Sequence, residues 1–488
     1  MLADLRPGVG CQAHVGCGAI PGSANDMFLK QFVLDGLGHA SYVLGSEETG
    51  EALVLDPQRQ VDHYLAAARA EGARIRYGID SHGHNDYLSG LAELATRQRL
   101  TVLGSAHADL GYDHRPVADG EVIEMGEVGI EVLHTPGHTP EHVSLLVYDR
   151  STGDEPAMLL SGGALLVGDL ARPDLLGSRE DAERSAREFC RTIQEKILAL
   201  PDHVEVFPTH VAGSLCGGNI GSRLSTTVGY ERRTNAVLAR VDSAEEFVAE
   251  CIRLDNLPAV PPYWKRMRSQ NMAGVPLLGV LGEPPGLAPD DLERARAGGA
   301  LVLDARPPEA FGAAHIPGAL NVGLGSSFAT WAGTVLPADA HVVLVLDRPD
   351  DLWQASWNLL RIGYPLPEGW LAGGMMAWRT AAKPLDHIEQ ITVHALEQRL
   401  GAGDLAVLDV RQPAEWAAGH IAGATFVTGA ELPERLGDVP DAPVVATVCG
   451  SGYRSSVAAS LLAAEGRTVV NVLGGMTAWS AAGYPTEP

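Results

Sequence analysis

An internal repeat in the second half of the chain constrains its fold more than any other feature. The first copy contains Leu-Asp-Ala-Arg at 303–306 and His-Ile-Pro-Gly-Ala at 315–319. The second copy contains Leu-Asp-Val-Arg at 408–411 and His-Ile-Ala-Gly-Ala at 420–424, in the same order. Such self-similarity marks two structural units of one design. Because short β-branched runs alternate with helical stretches in each copy, we expect two domains with parallel sheets covered by helices.

Length and composition bound the remaining possibilities. At 488 residues the chain exceeds what one hydrophobic core supports, so we expect about three domains. The formal net charge of −25 argues against a nucleic acid or an anionic membrane as partner. No segment approaches the ~20 apolar residues of a membrane span, and the start of the sequence lacks the apolar core of a signal peptide. The six cysteines are scattered as in a reduced protein, which predicts a cytoplasmic location.

The part of the chain before the repeat has a different pattern of predicted strands and helices. Within residues 27–242, strand-like runs arrive in close pairs before helical stretches, which predicts sheets of hairpins sandwiched between helices. Residues 1–26 are interpreted as an N-terminal extension, and the Pro- and Gly-rich residues 243–285 as a connector. The two repeats then form domains at 286–386 and 387–488.

A cysteine at the end of a predicted strand opens a loop of small residues in the second repeat. The loop consists of Cys449, Gly450, Ser451, Gly452, Tyr453 and Arg454. Backbone N–H groups and the start of the following helix favour a thiolate or a persulfide there, and Arg454 adds positive charge. We therefore predict that Cys449 is a catalytic nucleophile assisted by Arg454, and that the residues between them bind substrate. In the first repeat the aligned residue is Asp347, which cannot carry sulfur.

Histidines and aspartates follow strand-like runs at several places in the first domain. They are His82, His84, Asp86, His138, Asp169 and His210. Imidazole and carboxylate groups at the exits of neighbouring strands can converge on one metal ion. The sequence therefore predicts a metal site in this domain.

These motifs resemble two known families. The cysteine loop, together with Asp-Val-Arg at 409–411 and Gly-Gly-Met at 474–476, resembles the rhodanese family, in which a six-residue loop is associated with sulfur substrates. The first repeat resembles a rhodanese without its nucleophile. The histidine segments resemble the metallo-β-lactamase fold superfamily, whose pattern includes His-x-His-x-Asp-His, Thr-Pro-Gly-His, Gly-Asp and a final His. The resemblance implies an αββα metallo-β-lactamase sandwich followed by two α/β rhodanese domains with parallel sheets.

The metal motif departs from that superfamily at Tyr87, where the pattern has histidine. A full set of ligands binds two metals, so this change weakens the second site. The remaining His82, His138 and Asp169 resemble the ligands of the persulfide dioxygenase branch, which implies one Fe(II) per chain. The same resemblance implies that three further residues are supporting groups or remnants of a second metal site: His84, Asp86 and His210. Cys216 is a candidate to face the iron.

The combined resemblance implies an enzyme with two coupled activities. Its first domain oxidises a low-molecular-weight persulfide to sulfite with O2, and Cys449 then transfers sulfur, giving or using thiosulfate. It also implies a homodimer or homotetramer. Two alternatives stay open: a two-metal thioester hydrolase resembling glyoxalase II and fused to a sulfurtransferase, or a sulfur-carrier or sensing module. The identity of the thiol that carries the persulfide does not follow from the sequence.

Overall fold

The computed structural model describes residues 12–14, 26–253 and 257–488. Its contacts divide the chain into an N-terminal unit (Val9–Leu257 and Lys265–Gly279) and a C-terminal unit (Pro258–Trp264 and Val280–Pro488). Most of the predicted N-terminal extension, 1–26, lies outside the described residues.

The described part of the N-terminal unit contains two sheets. The first sheet has the order β1 (Gln12–His14), β2 (Met27–Leu34), β3 (His39–Ser46), β4 (Glu51–Leu55), β5 (Arg74–Ile79), β6 (Thr101–Ser105) and β7 (Arg115–Val117). The second contains β8 (Val122–Met125), β9 (Val128–His134), β10 (Val143–Asp149), β11 (Pro156–Gly162), β12 (Glu205–Pro208) and β13 (Thr226–Thr227). The helices are α1 (Asp62–Ala70), α2 (Leu91–Arg97), α3 (Arg179–Thr192), α4 (Val228–Thr234), α5 (Ala244–Cys251) and α6 (Trp264–Ala273).

Strands that are buried on both faces contribute to separate hydrophobic cores in the described part of this unit. Leu53 and Leu55 of β4 face the second sheet, whereas Val54 of the same strand packs in a different core with Tyr64 of α1. Successive side chains of a strand point to opposite faces, so one strand serves both cores. A third core joins the outer face of the second sheet to α3, where Phe189 is fully buried. Helices therefore cover both outer faces of two packed sheets, which confirms the predicted αββα sandwich.

The predicted connector contributes two helices to the packing of the N-terminal unit. Phe247 of α5 is buried in the same core as Phe189 of α3. In α6, the side-chain amide of Asn271 donates to the carbonyl oxygens of His84 and Tyr87, at 2.9 and 2.8 Å. The core of this unit thus extends beyond residue 242, and the exact domain boundaries stay predictions.

The two repeats fold into sheets of identical strand order in the C-terminal unit. The first sheet has the order β14 (Gly286–Leu287), β18 (Gly369–Leu371), β17 (Val342–Val345), β15 (Leu301–Asp304) and β16 (Leu320–Asn321). The second has the order β19 (Glu389–Ile391), β23 (Val469–Val472), β22 (Val445–Val448), β20 (Ala406–Asp409) and β21 (Thr425–Phe426). Every strand pair in both sheets is parallel, as the repeat predicts.

Helices cover both of these sheets. The first copy contains α7 (Pro289–Ala297), α8 (Pro308–Ala313), α9 (Phe328–Val335), α10 (Leu352–Arg361) and α11 (Gly374–Thr380). The second contains α12 (Val393–Ala402), α13 (Pro413–Ala417), α14 (Tyr453–Ala464) and α15 (Gly475–Ala481). Across the described residues, none of the helices combines the length and apolar character needed to cross a bilayer.

Helix α14, which follows the cysteine loop, is bonded to the first copy. The hydroxyl of Ser456 donates to the side-chain oxygen of Asn321 at 2.9 Å, and the backbone N–H of Asn321 donates to Ser460 Oγ at 2.9 Å. All three residues are buried. Because satisfied buried polar contacts have a defined geometry, these bonds fix how the two copies meet.

Candidate metal centre and cysteine loop

Three histidines from three different strand exits converge in the N-terminal unit. His82 follows β5, His138 lies between β9 and β10, and His210 follows β12. All three are buried, and one ligand atom from each lies within 4.8 Å of the others. The Nε2 atoms of His82 and His210 are 3.4 Å apart. These three imidazoles form a group that can hold a metal ion.

Hydrogen bonds orient two of these rings so that Nε2 faces the group. His138 donates from Nδ1 to the carbonyl oxygen of Arg172 at 2.7 Å, and its buried Nε2 has no hydrogen-bond partner. His82 Nδ1 lies 2.8 Å from Ser81 Oγ, whose own proton is donated to Asp56 Oδ2 at 2.9 Å. Ser81 Oγ therefore accepts from His82 Nδ1. Metal-binding histidines are held by this type of outer hydrogen bond, which leaves a lone pair on the other nitrogen.

The protonation state of the three rings also suits a metal. Burial lowers the pKa of His138 to about 4, and burial together with the neighbouring histidines lowers the pKa of His82 and His210 well below the usual value. Imidazole must be neutral to bind a metal. The unpartnered Nε2 of His138 and the neutral rings around it therefore fit a metal ion.

His84, predicted as a supporting group, forms a buried ion pair. Its Nε2 lies 3.0 Å from Asp56 Oδ1, and both side chains are fully buried. Although burial alone would lower it, the charge of Asp56 raises the pKa of His84 to about 9. His84 thus binds Asp56 and lies outside the three-histidine group.

Asp56 was not singled out by the sequence analysis, yet it organises this region. Its carboxylate accepts from the backbone N–H of Ser81 at 2.6 Å, from the Ser81 hydroxyl and from the Thr209 hydroxyl, in addition to His84. Asp56 directly follows β4 and has a φ of 54°, a conformation that aspartate and asparagine tolerate better than most residues. An aspartate directly after a buried strand was the signal available in the sequence.

The other residues of the His-rich segment also have defined places. The hydroxyl of the fully buried Tyr87 donates to the carbonyl oxygen of Asp56 at 3.0 Å. Asp86 forms a second group with His210 and Cys216, whose ligand atoms lie within 4.8 Å of one another. Burial raises the pKa of the Cys216 thiol well above its usual value, so this cysteine is a neutral thiol. Its role in chemistry stays a prediction.

The carboxylate of Asp169 is bonded to backbone groups. Its carboxylate accepts from the backbone N–H groups of Gly218 at 2.8 Å, Asn219 at 2.7 Å and Leu170 at 2.9 Å. Among the described residues, it belongs to none of the groups able to hold a metal. The structure thus brings together His82 and His138 of the predicted triad, with His210 rather than Asp169. The ligand role of Asp169 stays a prediction.

The cysteine loop lies between β22 and α14 in the C-terminal unit. Cys449 is fully buried, and the backbone N–H of Gly452 donates to its Sγ at 3.1 Å. Gly452 has a φ of 107°, a backbone conformation that glycine adopts without strain. Gly450 is half-buried and Ser451 is exposed at the surface of the loop. The sulfur atom of Cys449 therefore lies next to a backbone N–H donor at the start of a 12-residue helix.

Arg454 is paired with a carboxylate that the sequence analysis missed. Its guanidinium donates to both oxygens of Glu415, at 2.6 and 2.7 Å. Although partial burial acts in the opposite direction, Arg454 lowers the pKa of Glu415. Glu415 also accepts from the backbone N–H of Gln412 as part of a helix-capping motif, and this spacing was its signal in the sequence. The positive charge beside Cys449 is thus balanced by a negative one.

Tyr453 connects the loop to the first copy. Its hydroxyl donates to the carbonyl oxygen of Gly323 at 2.8 Å. In that first copy, Asp347 follows β17 and is exposed, and the next residue, Arg348, pairs with Asp351 at 2.8 Å. The first copy therefore has no sulfur nucleophile at this position and instead supports the loop of the second copy.

Comparisons with known proteins agree with this architecture. The model of the family described as "Rhodanese-like domain" matches residues 288–381 and 392–482. A solved metallo-beta-lactamase from Staphylococcus aureus subsp. aureus COL is 31% identical, with a TM-score of 0.64, and the match covers 71% of this chain and 99% of that one. The chain belongs to the metallo-β-lactamase fold family and carries two rhodanese-like domains.

Relatives of this metallo-β-lactamase-fold protein include enzymes of two kinds. The mouse (Mus musculus) protein "Persulfide dioxygenase ETHE1, mitochondrial" is 29% identical over 224 residues, which are 45% of this chain and 77% of the relative. A hydroxyacylglutathione hydrolase from Polaromonas sp. is 34% identical over 175 residues, which are 35% of this chain and 61% of that relative. The fusion of a persulfide dioxygenase-like domain with rhodanese-like domains is confirmed. The two kinds of relative carry out different reactions, persulfide oxidation and thioester hydrolysis.

Proposed function

We propose that this chain oxidises a low-molecular-weight persulfide to sulfite and that Cys449 transfers sulfur between persulfide, sulfite and thiosulfate. The observation that supports it best is the group of three buried, neutral histidines in the domain that is similar to persulfide dioxygenases. The first reaction is R–S–SH + O2 + H2O → R–SH + SO3²⁻ + 2 H⁺. A bound iron ion would supply the activation of O2 in this reaction.

The residues around the histidines support that reaction in two ways. Burial of the site excludes bulk water, which strengthens electrostatic interactions and protects reactive species. Helix α6 fixes the loop that carries His82, because Asn271 bonds to the backbone of His84 and Tyr87 and Arg268 pairs with Glu141 at 2.6 Å. Glu141 in turn accepts from the backbone N–H of Gly83 at 2.9 Å.

The second reaction is a pair of sulfur transfers at Cys449. Its thiolate attacks the outer sulfur of R–S–SH, the S–S bond breaks, and R–S⁻ leaves, giving Cys449–S–SH. Sulfite then attacks the outer sulfur of Cys449–S–SH, which releases the Cys449 thiolate and protonated thiosulfate. The N–H of Gly452 stabilises the negative sulfur at the start and end of this cycle. Each step is reversible, so thiosulfate can also serve as the donor.

Oxygen uptake tests the first reaction. With the anaerobically purified, Fe(II)-loaded protein and glutathione persulfide, we expect O2 consumption equal to the sum of the sulfite and thiosulfate formed, because Cys449 converts part of the sulfite into thiosulfate. The zinc-loaded protein is the control, because zinc does not carry out redox chemistry. No O2 uptake by the iron protein would contradict the dioxygenase proposal.

The similarity to hydroxyacylglutathione hydrolase supports a second candidate, a thioester hydrolase. The thioester hydrolases that this domain resembles use two metal ions. Against it, His84 is bonded to Asp56, and Tyr87 contributes a phenol bonded to a backbone carbonyl in place of an imidazole. Zinc at two ions per chain with turnover of S-lactoylglutathione would favour the hydrolase. A sulfur-carrier role predicts no turnover with small thiols in the absence of a protein acceptor.

Glu415 is expected to limit the binding of anionic sulfur donors. In the variant Glu415→Gln, we expect the KM for thiosulfate to fall about three- to tenfold, because the Arg454 charge is no longer balanced by a carboxylate. Steady-state thiosulfate–cyanide sulfurtransferase kinetics measure this effect. Glu431→Gln is the matched control, since Glu431 pairs with Arg435 in the same domain. A rise in KM for Glu415→Gln would mean that Glu415 serves instead to hold Arg454 in place.

A further inference from the structure

The strand exit beside His138 carries no side chain. Strand β11 ends at Gly162, and Gly163 follows. A Cβ atom added at Gly163 would lie 3.0 Å from Cδ2 of His138, so this backbone position adjoins the imidazole directly. The N–H of Gly163 donates to Nε2 of His142 at 2.8 Å, which fixes the backbone there. A carboxylate at this strand exit would adjoin His138, but the chain has glycine.

Asp169, the aspartate of the Gly-Asp pair at 168–169, accepts hydrogen bonds from the backbone. Asp169 lies farther along the chain, and its two carboxylate oxygens accept three backbone N–H groups. Its own carbonyl oxygen accepts from the side-chain amide of Asn235 at 3.1 Å, and Glu231 accepts from the N–H of Gly168 at 2.9 Å. These bonds tie Asp169 to the loop at 218–219 and to α4, and the carboxylate belongs to no candidate metal group among the described residues.

His210 fills the place of the third ligand. The N–H of Thr209 donates to the carbonyl oxygen of Gly162 at 3.0 Å, so the ends of β11 and β12 lie side by side. His210 is fully buried, and its Nδ1 lies 3.4 Å from Ser214 Oγ and 3.8 Å from Asp86 Oδ2. The carboxylate favours a proton on Nδ1, which leaves the lone pair on Nε2.

The Nε2 atoms of two of these histidines are close enough to share one cation. The Nε2 atoms of His82 and His210 are 3.4 Å apart, a separation that one metal ion bound to both nitrogens can span. Neutral nitrogen lone pairs that face one another repel, whereas a metal ion between them binds both. The unpartnered Nε2 of His138 belongs to the same group.

We propose that the metal ion of this chain is held by His82, His138 and His210, without a carboxylate ligand and with the position beside Gly163 left open. A set of three neutral ligands leaves the full positive charge of a divalent ion in a buried site. Such a charge favours an anionic ligand, which is the form that a deprotonated persulfide offers. The proposal concerns the site of the proposed dioxygenase function, but metal binding is measured apart from O2 uptake, so the two can fail separately.

Metal titration of the full chain tests whether His210 or Asp169 is the third metal ligand. Co(II) is the probe, followed by its visible absorption, with bound metal counted by mass spectrometry. We expect His210→Ala to lower Co(II) affinity by about 100-fold or more, because a direct ligand matters at least as much as an outer hydrogen bond. Asp169→Asn is expected to keep one Co(II) per chain with an unchanged spectrum. Loss of Co(II) from Asp169→Asn with retention by His210→Ala would overturn the proposal.

Two substitutions at Gly163 test the open position independently. Gly163→Asp adds a carboxylate beside His138, and Gly163→Ala adds the same Cβ crowding without the carboxylate. We expect Gly163→Asp to bind Co(II) at least about tenfold more tightly than Gly163→Ala and to shift its absorption. Equal affinities and spectra for the two variants would overturn the assignment of an open position there. If the three histidines bind metal but O2 uptake is absent, the ligand assignment stands and the dioxygenase proposal fails.

Discussion

Replacing the nucleophile, in the variant Cys449→Ser, is expected to abolish sulfur transfer and to leave O2 uptake unchanged. A serine hydroxyl is not ionised near neutral pH and cannot form a persulfide, so transfer from thiosulfate should fall by at least about 1,000-fold. The fully buried Cys449 and its bond from Gly452 show that the sulfur already lies in a site shaped for it. Thiosulfate–cyanide sulfurtransferase assays and O2 uptake with glutathione persulfide, on one preparation, measure both quantities.

A matched variant separates this effect from a general loss of thiols. Cys251 is also buried, but it lies in a hydrophobic core of the N-terminal unit and outside the cysteine loop. Cys251→Ser is therefore expected to keep sulfur transfer near the wild-type rate. If Cys449→Ser lost O2 uptake as well, the two reactions would share a step, and the proposed order of independent oxidation and transfer would be wrong.

The repeat made the C-terminal unit predictable in detail. Two copies of one pattern gave two sheets with the same strand order, and the cysteine loop was recognisable because every residue of it is contiguous in sequence. What the sequence did not reveal was the partner of Arg454. Glu415 lies on a different helix, α13, and only the fold brings it to the loop. The supporting bond from Tyr453 to Gly323 joins residues that are still farther apart in the sequence.

In the N-terminal unit, sequence motifs predicted where the metal site lies, but they did not predict which residues contact one another there. Gly168-Asp169 matches the expected Gly-Asp pair, but strand β11 ends earlier, at Gly162. The end of a strand is set by its pairing with neighbours, here the parallel pairing of β11 with β12, and this pairing is not visible in a short motif. Asp56 was missed for a similar reason, since its partners Ser81, His84 and Thr209 come from two other segments.

The first rhodanese-like copy lacks the nucleophile, and its contacts indicate a specific contribution to the second copy. Asn321 exchanges two hydrogen bonds with α14, and Gly323 accepts from Tyr453 at the first turn of the same helix. The N-terminus of α14 is the part that faces the sulfur of Cys449. A domain without a nucleophile can therefore be retained because it holds the active loop of its neighbour.

The largest expected effect on stability is that of Asp56→Asn. This substitution keeps the shape of the side chain and suits the φ of 54°, but it leaves the His84 cation buried without its carboxylate. Breaking one partner of a buried ion pair costs about 3–5 kcal/mol. Hydrogen–deuterium exchange of β4 and β5, which flank the pair, should report this loss as faster exchange by a factor of about 100 or more.

A double variant decides whether the ion pair is the cause. In Asp56→Asn/His84→Gln neither charge remains, so the protection of β4 and β5 should recover by more than about 1 kcal/mol relative to Asp56→Asn alone. Asp56 also accepts from the Ser81 N–H and from the hydroxyls of Ser81 and Thr209, and these bonds are weakened equally in both variants. Recovery therefore isolates the uncompensated His84 charge. If the double variant were no better protected than Asp56→Asn, the uncompensated His84 charge would not be the cause, and the bonds to Ser81 and Thr209 would be the main contribution of Asp56.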